Sequence, residues 1–319
     1  MKTRLVYSPH YDFSILGMEK LHPFDAKKFS KAWTLLQQEF GDTSKQHTTF
    51  VSAPVSDQEL LAVHTEDYLK SLMHSKAIAD VIEVSLLALL PSSLLRKGLV
   101  TPAKYATAGT ILATRQALEG AVVFNLGGGF HHAFADHGEG FCFFADAAVA
   151  LAAGRNNNLI SQDDTVVMID LDAHRGNGFT SFCENDKSVG IFDLYNMQAY
   201  PGLKDDPNDE FPFIIPLRAG LGSEEYLQIL KEELPIFLNK YKTPKLAFYN
   251  AGTDIVATDK LGGLNVSYEA VIERDKFVID QLRALNIPTV IMTSGGYSKE
   301  SHKLIAELAS YLLRINENI

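Results

Sequence analysis

Residues 165–178 read TVVMIDLDAHRGNG. The run Thr165–Leu171 is almost wholly apolar, as a strand covered on both faces of a parallel sheet must be. It runs directly into Asp172, His174, Gly176, Asn177 and Gly178. In open parallel sheets ligands gather outside the carboxyl ends of the strands, so this is where chemistry is sought. On a strand, side chains alternate, so residues 170, 172 and 174 share one face and 171 and 173 the other.

The same pattern recurs outward from this stretch. Ala121–Leu126 leads into GGGFHH at 127–132, Leu246–Ala251 into Gly252-Thr253-Asp254, and Thr289–Thr293 into Ser294-Gly295-Gly296-Tyr297. Leu5–Tyr7, Val189–Asp193 and Pro212–Leu217 read as further strands. Helical periodicity covers about 25–40, 56–75, 102–119, 143–153, 223–239, 267–285 and 299–314, with Asp57, Ser223 and Ser267 as start residues. Alternating strands and helices predict an α/β fold, a parallel sheet flanked by helices on both faces. No linker or repeat divides residues 1–319, so a single domain is expected, with the Pro-rich loop after Tyr200 as a surface excursion.

Composition narrows the function. The 319 residues are 46% hydrophobic and 21% charged, enough to build a large core and unlike a disordered chain. Lys and Arg number 29 against 39 Asp and Glu, a net charge of −10. An acidic body repels phosphate backbones, so no nucleic-acid partner is expected, while basic partners suit it. Cys142 and Cys183 cannot build a disulfide framework, which predicts a reducing, cytoplasmic or other intracellular compartment. The start MKTRLVYSPHYDF lacks the apolar segment of a signal peptide, and no apolar run is long enough for a membrane span.

The strand ends carry a specific set of groups. Asp172, His174 and, from another strand, Asp254 offer two carboxylates and an imidazole, donors suited to Zn²⁺ with one position left open. An acidic strand end on its own also caps a helix; the double histidine nearby favours a metal site. His131 and His132 are two bases near neutral pH. Neighbours on an extended segment point apart, so acid–base work fits them better than shared ligation of one metal. Asp170 is placed to orient one and Asn177 the other. The Tyr297 phenol can polarise a carbonyl and stabilise an oxyanion. Phe141, after Gly140, can line an apolar channel, with Tyr200 a weaker candidate for its opposite wall. The remaining histidines read as surface or structural, with His22 the one open to doubt. There is no phosphate-binding glycine loop, no C-x-x-C and no G-x-S-x-G.

Taken together, Val6-Tyr7-Ser8-Pro9, Gly17 to Ala26, Gly127 to His132, Gly140-Phe141-Cys142, Ile169 to Gly178, Tyr249 to Ile255, Leu261 to Leu264 and Thr293 to Tyr297 resemble the zinc-dependent histone deacetylase superfamily. That superfamily has the arginase–deacetylase fold, and the match is closest to its class IV. The resemblance spans essentially the whole chain. It implies Asp172, His174 and Asp254 as zinc ligands, and His131 and His132 as the acid–base pair. Asp170 would stand behind the first histidine and Asn177 behind the second, where some members carry aspartate. Tyr297 would polarise the carbonyl. Phe141, Gly140, Tyr200 and Leu261 would contact substrate. A K⁺ site is implied at Asp170, Asp172, His174, Asp193 and Leu194.

The resemblance implies hydrolysis of an Nε-acyl-lysine amide in a protein or peptide. Deacylation of acylated polyamines or other small amides on the same fold is the alternative. A binuclear manganese site of the arginase kind would want another acidic ligand where Gly176 stands. The sequence also departs from many members. No Asp or Glu lies between Glu83 and Glu119, where a rim acid would grip the substrate backbone. Six leucines occupy Leu86–Leu95 instead. Class IV members are associated with long-chain deacylation, so a fatty-acyl substrate is expected. Neither oligomeric state nor physiological target is legible.

Overall fold

The apolar runs form eight strands: β1 Lys2–Tyr7, β2 Thr48–Phe50, β3 Ala121–Asn125, β4 Val166–Asp170, β5 Val189–Asn196, β6 Ile214–Leu217, β7 Leu246–Asn250 and β8 Thr289–Met292. In the computed structural model they make one sheet, ordered β2-β1-β3-β8-β7-β4-β5-β6. Every pairing is parallel. The structure describes all residues except 16, 18–24, 203–210 and 318–319. His22, much of the Gly17–Ala26 motif and most of the loop after Tyr200 thus lie outside the described residues.

Every residue of β3, β4, β5, β7 and β8 is buried, as their unbroken apolar runs require. The helices pack in two groups. Lys28–Phe40, Ser301–Glu317, Tyr268–Ala284 and Ser223–Lys240 contact one another in succession, and Thr101–Ala117 packs on Asp146–Asn156. Pro216 sits on edge strand β6, where the missing N–H is tolerated.

Four expectations fail locally. Strand β2 was not foreseen: it is three residues long, half exposed, and has no apolar run. The helix expected over 56–75 is broken into Asp57–Leu60 and Glu66–Ser71. Ser56, not Asp57, is the first cap, in a reciprocal capping box with Glu59. Thr65 then accepts from the Tyr68 amide and starts a second helix. Ser223 does not cap its helix; its hydroxyl accepts from the Ser267 amide at 2.8 Å. Ser267 caps as expected, accepting from Ala270.

One buried charge braces the two strands that carry the expected ligands. Arg274 is fully buried. Its Nη1 donates to the Leu171 carbonyl at 3.0 Å and the Gly252 carbonyl at 2.6 Å, tying the ends of β4 and β7. Its Nε donates to Asp275 at 2.9 Å, and Asp275 also accepts from the Tyr249 hydroxyl. Removing one member of a buried ion pair strands the other, at about 3–5 kcal/mol. Arg274→Met should therefore lower unfolding free energy by that order in urea titrations, and Arg274→Met with Asp275→Asn should recover part of it. A loss under about 1 kcal/mol for the single variant would show the pair to be dispensable.

Candidate active site

The four central strands β3, β8, β7 and β4 end side by side, and each end delivers part of one site. After β4 the chain does not continue as a strand. The Asp172 amide donates to Asp170 Oδ1 at 3.1 Å, and the His174 amide to Asp172 Oδ1 at 2.9 Å. These side-chain turns, rather than strand alternation, bring Asp172 and His174 together. His174 Nδ1 lies 3.0 Å from Asp172 Oδ1 and 3.1 Å from Asp254 Oδ2. One ligating atom from each of these three buried residues lies within 4.8 Å of the others.

The rest of each carboxylate is already committed. Asp172 Oδ2 accepts from the Ser294 hydroxyl at 2.9 Å and the Gly295 amide at 2.7 Å. Asp254 Oδ1 accepts from the Ala173 amide at 2.9 Å. Burial, then the Asp172 charge, raises Asp254 to about 7. Two crowded carboxylates and an imidazole, each with one atom turned inward, fit a divalent cation of borderline softness such as zinc.

The tandem histidines follow β3. Gly129 has φ +82°, and a Cβ there would press on the backbone of Ser294. The His131 amide closes back on the Gly129 carbonyl at 3.0 Å, a tight turn rather than an extended segment. The two rings therefore lie beside each other, centroids 4.1 Å apart, instead of pointing apart. His131 Nδ1 meets Asp170 Oδ2 at 2.8 Å and His132 Nδ1 meets Asn177 Oδ1 at 2.7 Å. Burial works against charge on both. At His131 the carboxylates of Asp170 and Asp172 outweigh burial and raise it to about 9. At His132 burial, then His131 and His174, push it well below the ordinary range.

Tyr297 sits at the end of the β8 loop, its amide donating to Asp259 Oδ2 at 2.6 Å. The residue is part-exposed toward the cavity. Desolvation around its hydroxyl, then Asp254 and Asp172, raises its pKa well above the ordinary value, so the phenol keeps its proton. Its ring stands edge-on to His174 at 6.1 Å and to Phe141 at 5.9 Å. Phe141 and Ser294 hold φ of 66° and 53°, strained for residues with a Cβ. Both carry walls of the site.

A cavity of about 150 Å³ opens beside these groups. Its polar rim includes His131, His132 and Tyr297, and Phe13, Phe29, Ile82, Leu87 and Leu99 line its apolar body. Gly140 and Phe141 line it as well. Tyr200 does not; its ring packs edge-on against His132 at 5.2 Å. Leu261 lies away from the cavity, on a partly exposed turn whose amide donates to Asp259 at 3.0 Å.

The chain is similar to known proteins. The histone deacetylase domain profile matches residues 22–313. The chain belongs to the histone deacetylase family. It is 38% identical to Histone deacetylase 2 of Arabidopsis thaliana over 313 residues, 98% of this chain and 79% of that one. It is 26% identical to Histone deacetylase 8 of Xenopus laevis over 254 residues, 76% of this chain and 75% of that one. The crystallised HD domain of HDA15 shares the fold with a TM-score of 0.74 at 18% identity, over 99% of this chain and 88% of that one. Membership makes the protein a hydrolase of the deacetylase type on the arginase–deacetylase fold.

Several supporting residues of the candidate site carry no local signal. Asp146 accepts from the Gly129 amide at 3.0 Å, the Phe130 amide at 2.8 Å and the Thr110 hydroxyl at 2.6 Å, pinning the turn before His131. Asn250 Nδ2 donates to Asp170 Oδ2 at 3.1 Å. Lys28 is wholly buried, and its ammonium donates to the Ser294 carbonyl at 2.7 Å. Burial lowers Lys28 to about 8 despite Asp254 and Asp172. A buried ammonium is a costly anchor, and here it holds the loop that grips Asp172.

Proposed function

We propose that the protein hydrolyses the Nε-acyl amide of lysine in a protein or peptide, using zinc held by Asp172, His174 and Asp254. The convergence of these three buried ligating atoms beside two histidines and a protonated tyrosine carries the reading. Zinc, when bound, supplies Lewis-acid polarisation of the scissile carbonyl and acidification of water. His132, kept neutral by burial and by two neighbouring imidazoles, takes the proton of the attacking water. His131, held charged by Asp170, stabilises the anionic transition state. Tyr297 donates its hydroxyl to the carbonyl oxygen as negative charge grows there. The amide C–N bond breaks, the lysine nitrogen receives the proton from the histidine pair, and the acyl group leaves as a carboxylate.

A monovalent cation, K⁺, belongs to the same reading, bound near Asp170, Asp172, His174, Asp193 and Leu194. Asp193 supports it. Its Oδ2 accepts from the Gly176 amide at 3.0 Å, while the buried Oδ1 has no hydrogen-bond partner among the described residues. A hard cation satisfies such an oxygen.

The class IV assignment rests on the sequence resemblance, and a long-chain acyl preference is supported by the apolar cavity. Leu86 and Leu87 from the acid-free stretch line it. Each buried methylene contributes about 0.8 kcal/mol, about fourfold in kcat/KM. A series of acetyl-, octanoyl- and myristoyl-lysine peptides, run with and without a hydroxamate chelator, tests the metal-dependent deacylation and the acyl preference. We expect chelator-sensitive turnover that rises with chain length. A flat or falling profile would overturn the acyl preference. No turnover at any length, with zinc bound, would move the reaction to small-molecule amides.

A further inference from the structure

The second histidine is backed by an amide, which raises a question a carboxylate would not. Asn177 presents an acceptor on one side and a donor on the other, and which faces His132 depends on its other partner. That partner is Glu139, whose Oε1 receives Asn177 Nδ2 at 2.7 Å. A carboxylate only accepts, so the amide nitrogen must face Glu139 and the carbonyl oxygen must face His132. His132 Nδ1, 2.7 Å from that oxygen, must then be the donor.

We propose that Glu139 is a positioning residue that fixes the Asn177 amide and thereby holds the His132 proton on Nδ1, leaving Nε2 as the reacting nitrogen. This rests on the deacylase reading above and identifies what sets its base.

The surroundings support it. Glu139 is held in place by its own loop, where the Cys142 amide donates to its carbonyl at 2.8 Å. The Tyr200 hydroxyl donates to the same carboxylate, while the Tyr200 ring covers the edge of His132. His137 Nε2 stands 3.7 Å from the other oxygen, Oε2. The side chain of Glu139 is 28% exposed and so reaches the rim of the site. Tyr200, Glu139, Asn177 and His132 thus form one chain of donors and acceptors from the rim to the reacting nitrogen. The Glu139 loop also carries Gly140 and Phe141, so channel wall and orienting carboxylate belong to one loop.

A double-mutant cycle separates this from a merely structural role. Glu139→Gln keeps the shape but lets a second amide face Asn177 in either orientation. It should cost about tenfold in kcat with KM nearly unchanged. Asn177→Asp alone sets two carboxylates against each other and should also lose activity. Together, the new carboxylate accepts from His132 unaided and the new amide donates to it, so kcat should recover to within about threefold of the wild-type value. Imidazole ¹⁵N spectra of the zinc-loaded protein, with His132 assigned by its loss in His132→Ala, should show an Nδ1–H tautomer in wild type and a mixture in Glu139→Gln. Unchanged spectra and kcat in Glu139→Gln, or losses that simply add in the double variant, would overturn the proposal. Absence of wild-type turnover on every acyl-lysine peptide would instead sink the deacylase reading, and the spectra would still decide what Glu139 does.

Discussion

Tyr297→Phe is expected to retain its metal and lose most of its turnover. Removing one donor that stabilises a developing oxyanion typically costs about 10²–10³ in kcat, or about 2.7–4 kcal/mol. The substitution removes only the hydroxyl. The ring contacts to Phe141 and His174 remain, and so does the backbone bond to Asp259. The three converging ligand atoms are untouched. KM should stay within a few-fold, because the hydroxyl acts on charge that appears only in the transition state. The check is kcat and KM on an acyl-lysine peptide together with zinc stoichiometry. A kcat within tenfold of wild type would mean that Tyr297 does not face the reacting carbonyl.

Asp254→Ala is expected to lose the metal itself. Partners that merely orient a ligand are each worth about 10–100-fold in metal affinity, so loss of one of three ligands should cost at least about a hundredfold. The variant leaves Asp172 and His174 supported by Ser294, Gly295 and the Asp172 turn. It also frees the Ala173 amide, which now donates to Asp254. Zinc content after dialysis against a weak chelator reads the loss, and near-ultraviolet circular dichroism shows whether the fold survives. Normal zinc binding by a folded Asp254→Ala protein would show the ligand set to be wrong.

The groups of the candidate site are legible because each sits just past its own apolar run. Asp172 and His174 follow Thr165–Leu171, Tyr297 follows Thr289–Thr293, and strand and site are read from the same dozen letters. Legibility fails where a residue's partner is distant. Lys28 meets Ser294 across 266 positions, and nothing near Lys28 marks it as buried. Arg274 lies in a helix of ordinary pattern, yet its guanidinium reaches a carbonyl 103 positions away. Glu139 reads as a loop acid until Asn177 is placed beside it. The broken helix after Ser56 has another cause: Thr65 competes as a cap, and local hydrogen bonding defeats a continuous periodicity. Strand β2 has too few residues to show any period.

The strand order has a consequence for how the enzyme comes into being. As the chain is made, β3 and β4 are laid down with space between them for two strands that do not yet exist. His131 and His132 wait on one side, Asp172 and His174 on the other, and only residues 246–297 supply the β7–β8 insert with Asp254 and Tyr297. Pairings of such long sequence separation form late and slowly. A nascent or prematurely ended chain can therefore carry most of the sheet and yet hold two half-sites facing an open seam. Asp254 completes the three candidate ligands with β7, and Tyr297 joins them only after β8, so the site closes with the last strand of the sheet.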